Sequence, residues 1–128
     1  MSLYQQKLLD HYRRPRNKDK LARVDFTSAK FNPACGDSIL FEGAMCCCRV
    51  EKVGFDGSGC VVSQAAASLL SEVAIGKTPE EIAQLNDTFM QELIGMKLGP
   101  VRLKCAMLPL EALQDGIRRY QADKNDAQ

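Results

Sequence analysis

Every stretch of this chain with strand periodicity falls between residues 24 and 55, and from residue 62 onward the periodicity is helical. Val24, Phe26 and Phe31 anchor a first strand. Ser38 to Met45 form a second, with Ile39 and Phe41 on one face by two-residue alternation. Arg49 to Phe55 form a third, with Val53 and Phe55 on one face. The last two strands are close in sequence, so they pair as an antiparallel hairpin whose turn falls near Cys46-Cys47-Cys48. Strands grouped apart from helices point to an α+β fold: a small three-stranded antiparallel sheet with helices packed on one face.

The helices follow from spacing and caps. Tyr4, Leu8 and Tyr12 recur every fourth residue, with Leu9 widening the stripe, and Pro15 ends that first helix. His11 beside the stripe reads as a packed or capping side chain. Val62, Ala65, Ala66, Leu69, Leu70 and Val73 form a second helix that stops at Gly76. Thr78-Pro79-Glu80-Glu81 is a helix start: a cap, a proline at the first position, then acids at the positive end of the dipole. Ile82, Leu85, Phe89 and Leu93 give that third helix its buried stripe. Gly95 and Gly99-Pro100 then interrupt the chain. The last helix carries Ala106, Leu110, Leu113, Ile117 and Tyr120. Proline suits only a first turn, so Pro109 places the start of this helix at or just after Cys105. The whole reads as one domain over residues 1–128, with a polar tail at 123–128 expected to fray.

The composition narrows the function. Apolar residues make up 45% and charged residues 26%, the balance of a soluble globular domain. No apolar run approaches the roughly 20 residues that span a bilayer, and the charged N-terminus has no secretory core. A cytoplasmic chain follows as the expectation. Its six cysteines are then reduced, and they read as metal or sulfur chemistry before disulfides. A net charge of +1 gives no general attraction to nucleic acid or membrane. Arg13, Arg14, Arg16, Lys18, Lys20 and Arg23 form one local basic excess. It is either a solvated helix end or a docking patch for an acidic protein, and it lacks the interleaved aromatics that stack on bases.

Three cysteines sit in small-residue settings: Asn32-Pro33-Ala34-Cys35-Gly36-Asp37, then Gly57-Ser58-Gly59-Cys60, then Arg102-Leu103-Lys104-Cys105. Cys35 precedes the central strand and Cys60 follows the last one, so both lie at the same end of the sheet. Cys60 and Cys105 each stand at an expected helix start, where the dipole favours thiolate over thiol. Lys104 adds to that effect if its ammonium folds back. Three thiolates and the Asp37 carboxylate can close a tetrahedral zinc site, structural or functional. They can equally hold a 2Fe-2S cluster, whose usual ligands are four thiolates. A carboxylate is the harder, weaker partner for such iron, which suits a cluster that must leave. About ten residues separate the Cys46-Cys47-Cys48 run from Cys35. At ~3.3 Å per residue that is about 30 Å of strand, too far to share one metal. That run reads as a functionally silent turn or as a second metal or oxidation site.

At these residues the chain resembles the iron–sulfur cluster scaffold proteins of the IscU, NifU N-terminal and SufU kind. Leu3-Tyr4, Asp10-His11-Tyr12 and Pro15-Arg16-Asn17 resemble the family's opening helix. The Cys35, Cys60 and Cys105 settings resemble its three metal motifs. The resemblance implies a scaffold that accepts sulfur from a cysteine desulfurase, builds a transient 2Fe-2S cluster with iron, and passes it to recipient apo-proteins. It implies Cys35, Cys60 and Cys105 as ligands and sulfur acceptors and Asp37 as an exchangeable ligand. The chain is then a substrate protein rather than an enzyme. Leu98-Gly99-Pro100-Val101-Arg102 resembles, in degenerate form, the segment read by a heat-shock-class chaperone pair. Lys104 stands where the IscU kind has histidine and so resembles the SufU kind, which implies zinc as alternative or resting occupant and a sulfurtransferase role. The SufU kind also carries an insert between its second and third cysteines. Here Cys60 and Cys105 stand only 45 positions apart, as in the IscU kind.

Overall fold

The computed structural model describes residues 3–34 and 36–126. Helix α1 (Leu3–Arg13) leads into strands β1 (Phe26–Asn32), β2 (Asp37–Cys46) and β3 (Arg49–Ser58). Helices α2 (Val61–Ala74), α3 (Pro79–Ala83), α4 (Asp87–Ile94) and α5 (Pro100–Asp126) follow. The sheet order is β1-β2-β3 and both pairings are antiparallel. The α+β expectation of helices against one face of a small sheet describes this architecture.

Alternation sets what each strand buries. Phe26 and Ser28 of β1, Ile39 and Phe41 of β2, and Val53 and Phe55 of β3 face inward. They meet Ala65, Ala66, Leu69 and Leu70 of α2 and Ala106, Leu110, Leu113 and Ile117 of α5 in one core. Phe41 and Phe55, paired across the ladder, stack their rings with centroids 5.9 Å apart.

Two first-strand anchors named from sequence face water. Phe31 has the opposite parity to Phe26 and is 63% exposed, and Val24 precedes the strand. The ladder stops short of Val24 because the Asp25 carboxylate takes the Met45 N–H at 2.6 Å. Strand β3 runs past Phe55 to Ser58, where Ser58 pairs with Ser38. A bulge puts Lys52 opposite Ala44 and Val50 opposite Met45, leaving Glu51 extra. Simple alternation therefore missed Val50, which is buried with Val53.

The β2–β3 turn falls on the predicted cysteines. Cys47 and Cys48 hold φ of 58° and 64°, the left-handed pair of a type I′ hairpin turn. Asn-Gly is the favoured occupant, and a residue with a Cβ costs about 1–2 kcal/mol there.

Three helix expectations change. The segment beginning at Thr78 is two helices. Thr78 and Glu81 form the capping box predicted for α3, but Asn86 accepts the Phe89 N–H and caps a separate α4. The buried side chains are Ile82, Met90 and Ile94, while Leu85, Phe89 and Leu93 are only partly covered. Gly95 closes α4 in the left-handed conformation. The last helix starts at Pro100, not at Cys105, and runs through Pro109. Burial of Ala106, Leu108, Leu110, Ala112 and Leu113 against the sheet offsets the roughly 3 kcal/mol that an interior proline costs. Finally, α5 continues to Asp126, so the tail expected to fray is helical to that point, and 127–128 lie outside the described residues. No helix among the described residues is long and apolar enough to cross a membrane.

Helix α1 is tied to α2 by polar groups more than by Tyr12, and the Tyr4 side chain lies outside what is described. Leu8 and His11 are buried, whereas Tyr12 is 41% exposed. His11 Nδ1 lies 2.7 Å from Ser68 Oγ, and Nε2 lies 3.5 Å from Glu72. Ser68 Oγ also accepts the Arg16 N–H at 2.8 Å, and Asn17 donates to Ser71 Oγ at 3.0 Å. The Glu72 carboxylate only accepts, so the neutral ring carries its proton on Nε2 and takes the Ser68 hydroxyl proton on Nδ1. His11 is structural, as its place beside the stripe suggested. The basic run is partly neutralised in place: Arg14 and Arg16 pair with Asp10, and Arg23 with Asp25 and Glu51.

Burial, helped by the Arg16 charge and opposed by Glu72 and Asp10, holds the His11 pKa below its ordinary 6.5. Below that value the unfolded chain binds more protons than the native one. The His11 contribution to stability is therefore complete above about pH 6.5 and falls as pH drops toward the native pKa. The thermal midpoint of the wild type is expected to fall between about pH 7 and pH 5, and less so for His11→Gln. Parallel profiles for the two proteins would contradict this.

Candidate metal centre

Strand pairing builds the site. Asn32 pairs with Asp37 across the β1–β2 hairpin, so the loop between them closes at one end of the sheet. Asn32 Oδ1 accepts the Ala34 N–H at 3.1 Å, and its carbonyl accepts the Gly36 N–H at 2.8 Å. Cys35 belongs to this loop in sequence and lies outside the described residues. The Ser38–Ser58 rung then sets Asp37 beside Gly59 and Cys60, where β3 hands over to α2.

Asp37 is fully buried. Its Oδ1 accepts the Cys60 N–H at 2.7 Å, and its Oδ2 lies 3.5 Å from Cys60 Sγ. An N–H bond to an ionised carboxylate is roughly twice as strong as a neutral one. It holds the carboxylate against the sulfur despite the cost of taking it out of water. Gly59 makes the approach feasible. Its φ is +140°, and a Cβ there would fall 2.0 Å from Asp37 Oδ1.

Cys60 is the N-cap of α2, with Ser63 donating its N–H to Sγ at 3.4 Å and its hydroxyl to the Cys60 carbonyl at 3.2 Å. Serine or aspartate usually fills this position. The predicted placement of Cys60 at a helix start is what the structure has. Cys105 differs. It lies in the second turn of α5, 4% exposed, and enters the site from the helix side. The dipole effect is confined to the first turn, so the helix-end argument applied to Cys105 fails. Pro109 misled it, because the missing proline N–H was read as a helix boundary.

One ligand atom each from Asp37, Cys60 and Cys105 lie within 4.8 Å of one another. Among the described residues this is the one group of three or more such side chains that converges. A tetrahedral ion bonded at about 2.0–2.3 Å has its ligands some 3.3–3.8 Å apart, so a closing shift on the order of 1 Å forms a shared coordination sphere. Two soft thiols and one hard carboxylate fit zinc or iron. Lys104 is exposed and borders an open groove of about 790 Å³ with Phe31, Pro33, Asn86, Leu103 and Met107. The groove flanks the site on the α5 side. Cys46, Cys47 and Cys48 stand at the opposite end of the β2–β3 hairpin. Sequence reasoning missed Ser63, although its place three residues after Cys60 is the spacing of an N-cap and its N–H donor.

The chain is similar to several known proteins. The profile of the NifU-like N terminal domain matches residues 3–127. The zinc-dependent sulfurtransferase SufU of Bacillus subtilis is 31% identical, over 94% of this chain and 92% of its own. The iron-sulfur cluster assembly scaffold protein IscU of Streptococcus pyogenes is also 31% identical, over 91% of this chain and 84% of its own. The crystal structure of a nitrogen-fixing NifU-like protein (N-terminal) from Brucella abortus superposes with a TM-score of 0.76 at 21% identity. It covers 94% of this chain and 95% of that one, a likeness of fold.

The Gly59 contact gives a direct check. Gly59→Ala is expected to displace Asp37 and weaken zinc by about 10–100-fold, the usual cost of disturbing a ligand's support. Chelator competition measures the affinity, and circular dichroism is expected to show the helices intact. Unchanged zinc affinity would contradict the assigned contact.

Proposed function

The chain belongs to the NifU-like N-terminal domain family, and from that premise we propose that it is a scaffold for iron–sulfur cluster assembly. It accepts sulfur from a cysteine desulfurase, and an external electron donor of the ferredoxin or thiol class supplies two electrons per sulfur to bring it from persulfide to sulfide. Iron and that sulfide form a transient 2Fe-2S cluster, which is delivered to apo-proteins. The observation that carries this reading is a buried carboxylate held against two cysteines at one end of the sheet. Cys35, Cys60 and Cys105 are the sulfur-accepting thiols and, with Asp37, the ligands of the cargo. Lys104 is an auxiliary residue at the rim.

The chemistry of acceptance follows from the thiols. A thiolate of this chain attacks the outer sulfur of the desulfurase persulfide. A new S–S bond forms here, the donor S–S bond breaks, and the donor cysteine leaves as thiolate. No electrons enter or leave in that exchange. Cys60, at the surface end of α2, is the accessible entry point, while Cys105 is buried behind it. The pyridoxal chemistry stays with the desulfurase, so this chain serves as acceptor and carrier.

Lability comes from the ligand set. Asp37 supplies oxygen where a permanent centre has sulfur, and hard oxygen holds cluster iron less firmly than thiolate. Solvent reaches the site past Cys60. Both features suit a cargo that is handed on.

Lys104 favours a second reading, a zinc-dependent sulfur acceptor. In that case the same four residues hold zinc, which supplies a positive charge that stabilises the thiolates. The two readings separate by experiment. A scaffold reconstituted anaerobically with iron and sulfide gives a labile visible chromophore that moves to an apo-ferredoxin. Folded protein that gives no chromophore would sink this reading. A zinc shuttle stimulates the desulfurase only when zinc-loaded, and equal stimulation by zinc-free protein would remove that alternative.

Asp37→Cys offers the sharper prediction for the scaffold. Replacing oxygen by sulfur is expected to slow chromophore transfer at least several-fold while reconstitution still succeeds. Transfer at the wild-type rate would show that Asp37 does not set lability.

A further inference from the structure

The turn at the far end of the hairpin carries sulfur chemistry of its own. Cys46, Cys47 and Cys48 are all exposed there. Cys46 pairs with Arg49 on the last rung of the ladder, and Cys47 and Cys48 fill the two central turn positions. Both central residues hold left-handed φ, 58° and 64°, where Asn-Gly is the favoured pair. Strain of this kind at a loop tip is a pointer to function.

A second observation concerns the side chains. Successive side chains on an extended strand point to opposite faces. The left-handed backbone at Cys47 instead brings its sulfur within 3.4 Å of Cys46 Sγ. The neighbouring Cys47 thiol, chiefly through that contact, holds the Cys46 pKa above its ordinary 9.0. The two sulfurs thus lie close enough to bond one thiophilic ion together.

We propose that Cys46 and Cys47 form a second metal site that takes a soft monovalent ion of the copper(I) class. One copper(I) displaces two protons and forms two Cu–S bonds, with no change of oxidation state. The donor set selects the ion. Zinc sites are four-coordinate and use harder donors readily. The described residues bring no group of three metal-binding side chains together at this turn. Two soft thiolates with no carboxylate or imidazole completing the set favour copper(I). Closing the pair into a disulfide works against geometry. Adjacent Cα atoms are about 3.8 Å apart, under the roughly 4.4 Å lower limit for ordinary bridges. Cys48 lies one position further round the turn and is outside the chelate. The proposal does not rest on the scaffold reading, since it concerns the other end of the sheet.

The test counts copper(I) bound anaerobically by the full chain, supplied as its acetonitrile complex against a colorimetric copper(I) chelator. The Cys46→Ser/Cys47→Ser variant is expected to bind one equivalent fewer than wild type. Cys48→Ser is expected to bind as wild type does. Cys47→Asn/Cys48→Gly supplies the favoured turn pair, so it is expected to fold at least as stably and still lose that equivalent. The same equivalent is expected to persist when Cys60 and Cys105 are both serine. Equal stoichiometry in wild type and Cys46→Ser/Cys47→Ser overturns the proposal. So does loss of the equivalent in Cys48→Ser but not in Cys46→Ser.

Discussion

The hydrogen bond from the Cys60 N–H to the Asp37 carboxylate joins the first residue of β2 to the cap of α2. Everything at the site depends on it. It sets a buried carboxyl group beside a thiol, and it requires a residue without a Cβ at position 59. It also orients the end of α2, where the Ser63 N–H meets Cys60 Sγ. A bond to a charged group of this kind is worth about 1.5–3 kcal/mol, and losing one partner strands the other at greater cost. The same contact is thus a fold constraint and a functional one. The sheet register delivers Asp37, the helix cap delivers Cys60, and α5 supplies Cys105 from the core side.

The rest of the molecule holds that junction still. The core of β2, β3, α2 and α5 fixes the sheet end, and the His11–Ser68–Arg16 network clamps α1 and its following loop onto α2. Among the described residues the site opens to solvent at Cys60. A rigid base with one open side lets a partner reach the thiols without unfolding the domain. The far end of the hairpin is built differently. There two cysteines are held by a strained turn rather than by a core.

Much of the fold was legible because local rules carried it. Alternation located Ile39, Phe41, Val53 and Phe55, and the Thr78–Glu81 capping box was readable as a string of residues. The hairpin turn followed from the short gap between two strands. Errors arose where tertiary contacts overrule local preference. Pro109 reads as a helix boundary, yet burial of its neighbours carries α5 through it. Leu85 and Phe89 have helical spacing, yet Asn86 starts a new helix between them. Val50 is buried only because Glu51 bulges out. At the site, residue types and spacing named Asp37, Cys60 and Cys105. The burial of Asp37 was not legible, since it comes from strand pairing and a glycine on another element.

In the proposed scaffold, oxygen from Asp37 and sulfur from the cysteines share one coordination sphere. X-ray absorption at the zinc edge, on protein loaded with one equivalent of zinc, tests it most directly. The account predicts a mixed shell of three sulfurs at about 2.3 Å and one oxygen at about 2.0–2.2 Å, with the oxygen lost in Asp37→Cys. An all-sulfur shell in the wild type, or a shell without sulfur, would contradict it.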